Sequence, residues 1–298
     1  MGGERLDSRL NVAVTGGSGR VGRHVVDRLM QSFNVKVLDL RRPPQDVGFA
    51  QADVLDLDVL RRELAGMDAV VHLAAIDFDL QAAPETYIRV NVQGTWNVLQ
   101  AAHENGVRRV ILCSSVSASG LSEAHPSFPP EYIPIDESHP CCPIQAYSVS
   151  KQLMEDMAAS FVRRGDIEVL CLRLMMVLVP ENIPPTIERA GDPDTRWLFY
   201  YISPEDCARA FDCALKATEV KSGVFFITAE DSCRNEPTLD WVDRVFHGKV
   251  EIRDRERYAR NPYASVFDGS RARRMLGFQP GSNWREIERL AQPETQKE

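Results

Sequence analysis

Asn11-Val-Ala-Val-Thr15 runs straight into Gly16-Gly-Ser-Gly-Arg-Val-Gly22, and a helical pattern follows at once over Val21–Gln31. Glycines at 16, 19 and 22 satisfy GxxGxxG, while those at 17, 19 and 22 satisfy GxGxxG. Small residues at such a turn let the backbone approach a pyrophosphate and let the helix pack on the strand it follows. The helix N-terminus adds amide donors and a partial positive charge, which suit an anion. Taken alone, the glycines are equally explained by a tight strand-to-helix turn with no ligand. The next apolar run, Val35-Lys-Val-Leu38, ends in Asp39, about twenty residues on, where a carboxylate can accept both hydroxyls of a ribose. Together these features predict a bound dinucleotide. The carboxylate would repel a 2′-phosphate and favours NAD over NADP, although Arg41 and Arg42 could accommodate the extra phosphate. Gln51-Ala-Asp53-Val54 could bring Asp53 to the adenine edge, with a helix cap or turn as the alternative.

Outward from this motif, short Val/Ile/Leu-rich runs alternate with stretches of helical period. Strands are predicted at Asn11–Val14, Val35–Leu38, Ala69–Leu73, Arg109–Cys113 and Glu168–Leu172. Helices are predicted between them near Val21–Gln31, Asp58–Ala65, Pro84–Asn105 and Ala146–Arg164. Nearly all-apolar strands separated by helices imply a parallel sheet covered on both faces, with ligands at the carboxyl ends of the strands. The expected class is α/β, a doubly wound parallel Rossmann sheet with a small C-terminal substrate-binding lid. Residues 1–174 are read as the dinucleotide-binding core and 197–230 as returning to it, with 175–196 and 231–298 forming the small substrate-binding region. Leu121–Pro143 and Met175–Arg196 are proline-rich and read as loops over the site. Pro204–Ala217 reads as a helix, Val224–Thr228 as a strand, Pro237–Phe246 and Ser270–Leu276 as small helices, and the polar tail after Gln292 as frayed.

The 298 residues carry 35 Lys and Arg against 43 Asp and Glu, a net charge of −8, which offers no general attraction for nucleic acid or an anionic membrane. The most apolar stretch, Val169–Pro180, is too short for a membrane span and contains Arg173. Met1–Leu10 is charged where a signal peptide needs an apolar run, so a cytoplasmic location is expected. Seven cysteines with no CxxC pair, and adjacent Cys141 and Cys142 that cannot easily bridge, read as free thiols in a reducing compartment. No His/Cys/Asp cluster has zinc spacing, and no metal site is expected.

Tyr147-Ser-Val-Ser-Lys151 opens a helical pattern, so Tyr147 and Lys151 share one face. An ammonium near a phenol favours the phenolate, and a lowered pKa makes the tyrosine a usable proton carrier. Ser114 and Ser115 end the strand Arg109–Cys113, whose carboxyl end should open on the same crevice, and a hydroxyl there could hold a substrate oxygen. Serines at strand ends also serve simply as turn formers. His72 is expected to line the crevice through backbone and packing, and Asn91 to bond to neighbouring backbone in its helix. Leu153, Met157 and Phe161 have helical spacing and mark either core or a dimer face.

An ordered set of motifs carries a resemblance over nearly the whole chain. It comprises TGGSGRVG at Thr15–Gly22, Asp39, HLAA at His72–Ala75, NVQGTWNVLQAA at Asn91–Ala102 and ILCSS at Ile111–Ser115. YSVSK at Tyr147–Lys151, YISPEDCARAF at Tyr201–Phe211 and LGFQP at Leu276–Pro280 complete it. The chain resembles the extended short-chain dehydrogenase/reductases, the group of NAD-dependent epimerases, dehydratases and sugar dehydrogenases. The resemblance implies that Gly16, Gly19, Arg20, Val21 and Gly22 hold the pyrophosphate, Asp39 the adenosine ribose, and Asp53 and Val54 the adenine. Leu73, Ala74, Ala75 and Asn91 would complete the cofactor wall, and Lys151 would hold the nicotinamide ribose. Tyr147 would be the acid/base, with Ser115, which stands five residues before Gly120, orienting the substrate oxygen. Ser115, Val116, Met176 and Arg196 would meet the substrate.

Departures from the family pattern narrow the chemistry. Val116 and Ser117 stand where sugar-nucleotide 4,6-dehydratases have an acidic pair, which argues against dehydration. Met176 and Val179 replace the Asn and Gly usual in sugar-nucleotide epimerases. Arg196, seven residues before Ser203, resembles the carboxylate-binding arginine of uronate dehydrogenases, whose Asn-His pair is here Val116-Ser117. The expectation is an NAD-dependent oxidoreductase acting on a hydroxyl or lactol of a small sugar-like substrate, a uronate among the candidates, and the family's pairing through its helices suggests a homodimer. A sugar-nucleotide epimerase and a non-catalytic NAD(P)-binding regulatory protein are the alternatives.

Overall fold

The computed structural model describes residues 9–291, so the frayed tail expected after Gln292 and most of the charged Met1–Leu10 segment lie outside the described residues. Seven strands form one sheet: β1 (Asn11–Thr15), β2 (Asn34–Asp39), β3 (Gly48–Gln51), β4 (Ala69–His72), β5 (Arg109–Ser115), β7 (Glu168–Leu174) and β8 (Ser222–Ile227). Their order is β3-β2-β1-β4-β5-β7-β8, and every pairing is parallel. The chain builds outward from β1 to β3, then returns to lay β4 on the other side of β1. The crevice at this reversal opens beyond Thr15 and His72, which are paired in register.

Alternate strand residues feed two apolar layers, because successive side chains of a strand point to opposite faces. Val12, Val14, Val71, Ile111 and Leu172 pack beneath α1 (Gly22–Leu29) and α7 (Pro204–Lys216). Ala13, Val70, Leu112 and Cys171 pack beneath α2 (Leu57–Glu63), α4 (Gly94–Glu104) and α5 (Ala146–Arg164). Each strand is therefore apolar on both faces, as a parallel sheet covered on two sides requires.

Several expectations need correction. A third strand, Gly48–Gln51, joins the edge of the sheet; it is short and only half buried, so it lacks the apolar run that marks the others. The single helix expected over Pro84–Asn105 is α3 (Pro84–Tyr87), a π-helical stretch at Ile88–Gln93, and α4. The Met175–Arg196 loop contains α6 (Ile183–Gly191), opened by Pro184 and Pro185, which are tolerated in a first helical turn. The Leu121–Pro143 loop contains β6 (Tyr132–Ile133), paired with β9 (Glu251–Ile252). The C-terminal region holds α8 (Thr238–Phe246), α9 (Arg255–Arg260), α10 (Ser270–Leu276) and α11 (Trp284–Ala291). Its docking runs through edge-on aromatic contacts, Phe199 on Trp241 at 5.0 Å and Phe226 on Phe267 at 5.2 Å.

Candidate active site

The glycine turn is built for close approach. Gly16 has φ +72°, and a Cβ there would stand 2.5 Å from the Ala74 amide nitrogen, so the tip of β1 and the segment after β4 touch backbone to backbone. A Cβ on Gly22 would collide with the Gly16 carbonyl, and one on Gly17 would press into Val37. The expected cradle residues Gly16, Gly19, Arg20, Val21 and Gly22 thus lie together, opposite Leu73, Ala74 and Ala75, and the site fits a pyrophosphate. Asp39 ends β2 and accepts the Ser18 amide on one oxygen at 3.0 Å and the Arg41 amide on the other at 3.1 Å. Each oxygen keeps a lone pair that a ribose hydroxyl could use. The Arg42 guanidinium lies over the Phe49 ring at 4.9 Å. Asp53 is exposed and accepts the Leu55 amide at 2.9 Å, the turn geometry that was one of its two readings, while Val54 is buried and its carbonyl accepts from Asn97.

Beneath the cradle runs a buried polar chain. The Thr15 hydroxyl lies 2.7 Å from His72 Nδ1, His72 Nε2 lies 3.1 Å from the Thr95 hydroxyl, and Thr95 donates to the Asn91 carbonyl. Because Thr95 spends its proton on that carbonyl, His72 must donate from Nε2 and accept from Thr15 at Nδ1. Burial, with the Lys151 charge adding to it, pushes the imidazole down to about 3, so it stays neutral and is no base at ordinary pH.

Asn91 bonds to backbone as expected, but to that of another segment. Its amide does not serve its own helix: Oδ1 accepts the Ile76 amide at 2.8 Å, and Nδ2 donates to the Ile76 carbonyl and to Ser150 Oγ, both at 3.1 Å. Ser150 in turn donates to the Tyr147 carbonyl at 2.6 Å. The π-helical stretch carries this side chain across the cleft, fixing the segment after β4 to the first turns of α5.

Tyr147 and Lys151 do share one face of α5, and the ammonium stands 5.7 Å from the phenol ring centroid. Lys151 is buried and donates to the Cys113 carbonyl at 2.8 Å. The expected lowering of the phenol pKa is not found in the free protein: burial foremost, then the Asp77 carboxylate, holds the Tyr147 phenol far above its ordinary value, with the Ser115 hydroxyl opposing. Desolvation penalises the phenolate more than its surroundings favour it. Phe78 and Tyr87 pack on the Tyr147 ring at 5.9 and 5.8 Å.

Ser115 ends β5 and accepts the Ser117 amide at 3.1 Å, the turn-forming reading, and its hydroxyl also bears on the Tyr147 phenol. Val116 is buried, with its side chain packed in the core cluster beneath α1 and α7. Met176 is half buried, with Thr186 beside its sulfur. Arg196 lies over the Phe246 ring of α8 at 5.9 Å.

Arg20 reaches across the cleft to pair with Asp77 at 2.5 Å and Asp79 at 3.0 Å. This acidic strap, Ile76–Leu80, escaped the sequence reading, as did Thr15, Thr95 and Ser150; the two aspartates just after HLAA were its only visible trace. All seven cysteines are free. Among the described residues no group of His, Cys, Asp and Glu side chains is placed to hold a metal, and no helix is long and apolar enough to cross a membrane.

Comparison with known proteins agrees with this geometry. Residues 12–227 match the model of the NAD dependent epimerase/dehydratase family. L-arabinose 1-dehydrogenase (NAD(P)(+)) from Haloferax volcanii is 29% identical over 227 residues, covering 74% of this chain and 89% of that protein. Uronate dehydrogenase from Pseudomonas syringae pv. tomato is 24% identical, covering 80% of this chain and 79% of its own. UDP-glucose 4-epimerase from Lactobacillus helveticus is 27% identical, covering 91% and 92%. A short-chain dehydrogenase/reductase superfamily structure from Agrobacterium tumefaciens with bound NAD shares the fold, with a TM-score of 0.72, 24% identity, and coverage of 94% and 95%. With more than two thirds of its length matched to the family, the chain belongs to the NAD-dependent epimerase/dehydratase family and is an enzyme of that family using NAD.

Proposed function

We propose that this enzyme oxidises a hydroxyl or lactol carbon of a small sugar-like substrate, with Tyr147 as the acid/base. The observation that carries the reading is the meeting of three groups distant in sequence. A buried phenol, an ammonium on the same helix face and the Ser115 hydroxyl stand together at the carboxyl end of the sheet, beside the glycine cradle. Gly16, Gly19 and Gly22, with the amides of Arg20 and Val21, would hold the pyrophosphate, Asp39 the adenosine ribose and Asp53 the adenine. Lys151 uses one N–H on Cys113 and keeps two for the nicotinamide ribose. When bound, the nicotinamide supplies a hydride acceptor.

The protein's own part is binding, orientation and one proton. Ser115 orients the reacting oxygen, and Tyr147 takes the hydroxyl proton as hydride leaves the carbon. Burial keeps the phenol protonated in the free enzyme, so a nearby positive charge must help release that proton. The substrate-binding region proposed is 175–196 with 231–298, of which 292–298 lie outside the described residues. The relatives named as dehydrogenases of small sugars match this chain over most of their length, which supports the reading.

The test mixes purified protein with NAD and a panel of aldoses, uronates and sugar nucleotides. Net NADH formation is expected, with Tyr147→Phe lowering turnover about a thousandfold at unchanged NAD affinity. Isomer formation without net NADH would instead establish a sugar-nucleotide epimerase, a reading supported by the match to UDP-glucose 4-epimerase. A Tyr147→Phe variant with full biological activity would establish a non-catalytic NAD(P)-binding regulator. NAD should bind more tightly than NADP because Asp39 stands at the ribose position.

The working unit proposed is a homodimer. Ile88, Val92, Trp96 and Met157 line an open apolar groove of about 630 Å³ beside α4 and α5, and Leu153 stands exposed on α5. A second copy presenting the same face would cover it. Seven free thiols fit a reducing compartment such as the cytoplasm.

A further inference from the structure

Fixed charge around the Tyr147 phenol is lopsided. The strap after β4 carries Asp77 and Asp79 over the cleft and lays Phe78 on the phenol ring. Both carboxylates bear on Tyr147, and Asp77 bears on Lys151 and Cys113 as well. Lys151 stands 5.7 Å from the phenol ring but is buried on the Cys113 carbonyl, and Arg196, Arg189 and Arg234 are held at Phe246, Trp197 and Glu236. Arg20 alone is paired with the strap among the described residues, and it stands within the glycine turn, where a bound pyrophosphate would compete for the same guanidinium. The three side chains of this ion pair are about half exposed, so exchanging one anionic partner for another costs little.

Resting on the reading of the site as a sugar oxidoreductase, we propose that Asp77 and Asp79 set the charge class of its substrate. With a pyrophosphate drawing on Arg20, the two carboxylates are left facing the reacting phenol. They then accept hydrogen bonds from an uncharged, hydroxyl-rich substrate and repel carboxylated or phosphorylated sugars. An ionised carboxylate is acceptor-only and bonds strongly to hydroxyls. A second anion brought up to these half-exposed carboxylates is repelled, and more strongly as bound coenzyme and substrate exclude water from the cleft. The carboxylate-binding role implied for Arg196 by resemblance is thereby replaced: the substrate class is a neutral aldose or polyol, and uronates are disfavoured.

The test uses the full chain and the double variant Asp77→Asn/Asp79→Asn, with Arg20→Gln as a second probe of the latch. Calorimetric titration with NAD, without substrate, should show several-fold tighter binding to the double variant, because Arg20 no longer has to leave an anionic partner, and weaker binding to Arg20→Gln. Unchanged affinity in both would overturn the sharing of Arg20. NADH formation on the NAD-saturated enzyme is then compared for neutral aldoses, uronates and aldose phosphates. The wild type should favour neutral aldoses, and the double variant should raise kcat/KM for uronates roughly tenfold relative to aldoses. A wild type that prefers uronates or phosphates, or a variant that leaves the ratio unchanged, would overturn the charge selection while leaving the oxidoreductase reading intact. No hydride transfer with any sugar would remove that underlying reading, and the calorimetric comparison would still decide the role of the strap.

Discussion

At the scale of single residues, His72 shows how a titratable group can serve folding without serving chemistry. Its ordinary value near 6.5 falls to about 3 in the folded chain because burial excludes the charged form. The folded state therefore binds fewer protons at this site than the unfolded state between those values. The stability it supports is full above pH 6.5 and is lost as pH falls toward 3, by roughly 1.4 kcal/mol per pH unit. Denaturant titrations across that window should show a shallower slope for His72→Gln than for the parent, and equal slopes would refute the assignment. The sequence placed His72 at the crevice wall but not in a hydrogen-bonded chain, because its partners Thr15 and Thr95 lie 57 and 23 residues away. Tyr147 and Lys151 were legible because four-residue spacing on a helix is local. The direction of the phenol's shift was not, since it depends first on burial and then on Asp77, both set by segments distant in the chain.

Among the elements, those with a strong period or a complete apolar run were legible: β1, β2, β4, β5 and β7, with α1, α5 and α7. The short edge strand β3 and helix α6, opened by consecutive prolines, carry too little pattern to stand out. The staple that fastens the C-terminal segment to α7 was equally invisible. Asp206, buried in the first turn of α7, accepts the Gly281 and Ser282 amides at 2.9 Å each and the Ser282 hydroxyl at 2.7 Å, and pairs with Arg209. Asp206→Ala leaves those donors without their buried acceptor. It should cost about 3 kcal/mol, a fall of roughly 6 to 12 °C in Tm by calorimetry. A change within 2 °C, on the order of experimental scatter, would mean that aromatic packing alone seats the segment.

For the molecule as a whole, composition and strand rhythm fixed the layered architecture, while the quaternary state depends on how one helical face is used. Of the stripe Leu153, Met157 and Phe161, only Phe161 is fully buried, under Trp96 at 5.2 Å; Leu153 is exposed and Met157 lines the groove. The stripe thus divides between core and surface instead of choosing one. Trp96→Glu and, independently, Ile88→Glu place a charge in that groove and should convert a dimer to a monomer in sedimentation at unchanged far-ultraviolet dichroism. Sedimentation of the parent as a monomer, or of both variants as dimers, would remove this face as the interface.

The way Asp39 is held bears on any attempt to re-engineer coenzyme choice. Its carboxylate grips the Ser18 amide inside the phosphate loop and the Arg41 amide beyond the strand, while Arg42 is parked on Phe49. Exchanging Asp39 for a neutral residue to welcome the phosphorylated coenzyme would also untie the glycine loop proposed to hold the phosphates common to both forms. Such a redesign has to supply a replacement acceptor for Ser18 and free a guanidinium from its aromatic perch, or it will trade selectivity for a general loss of grip.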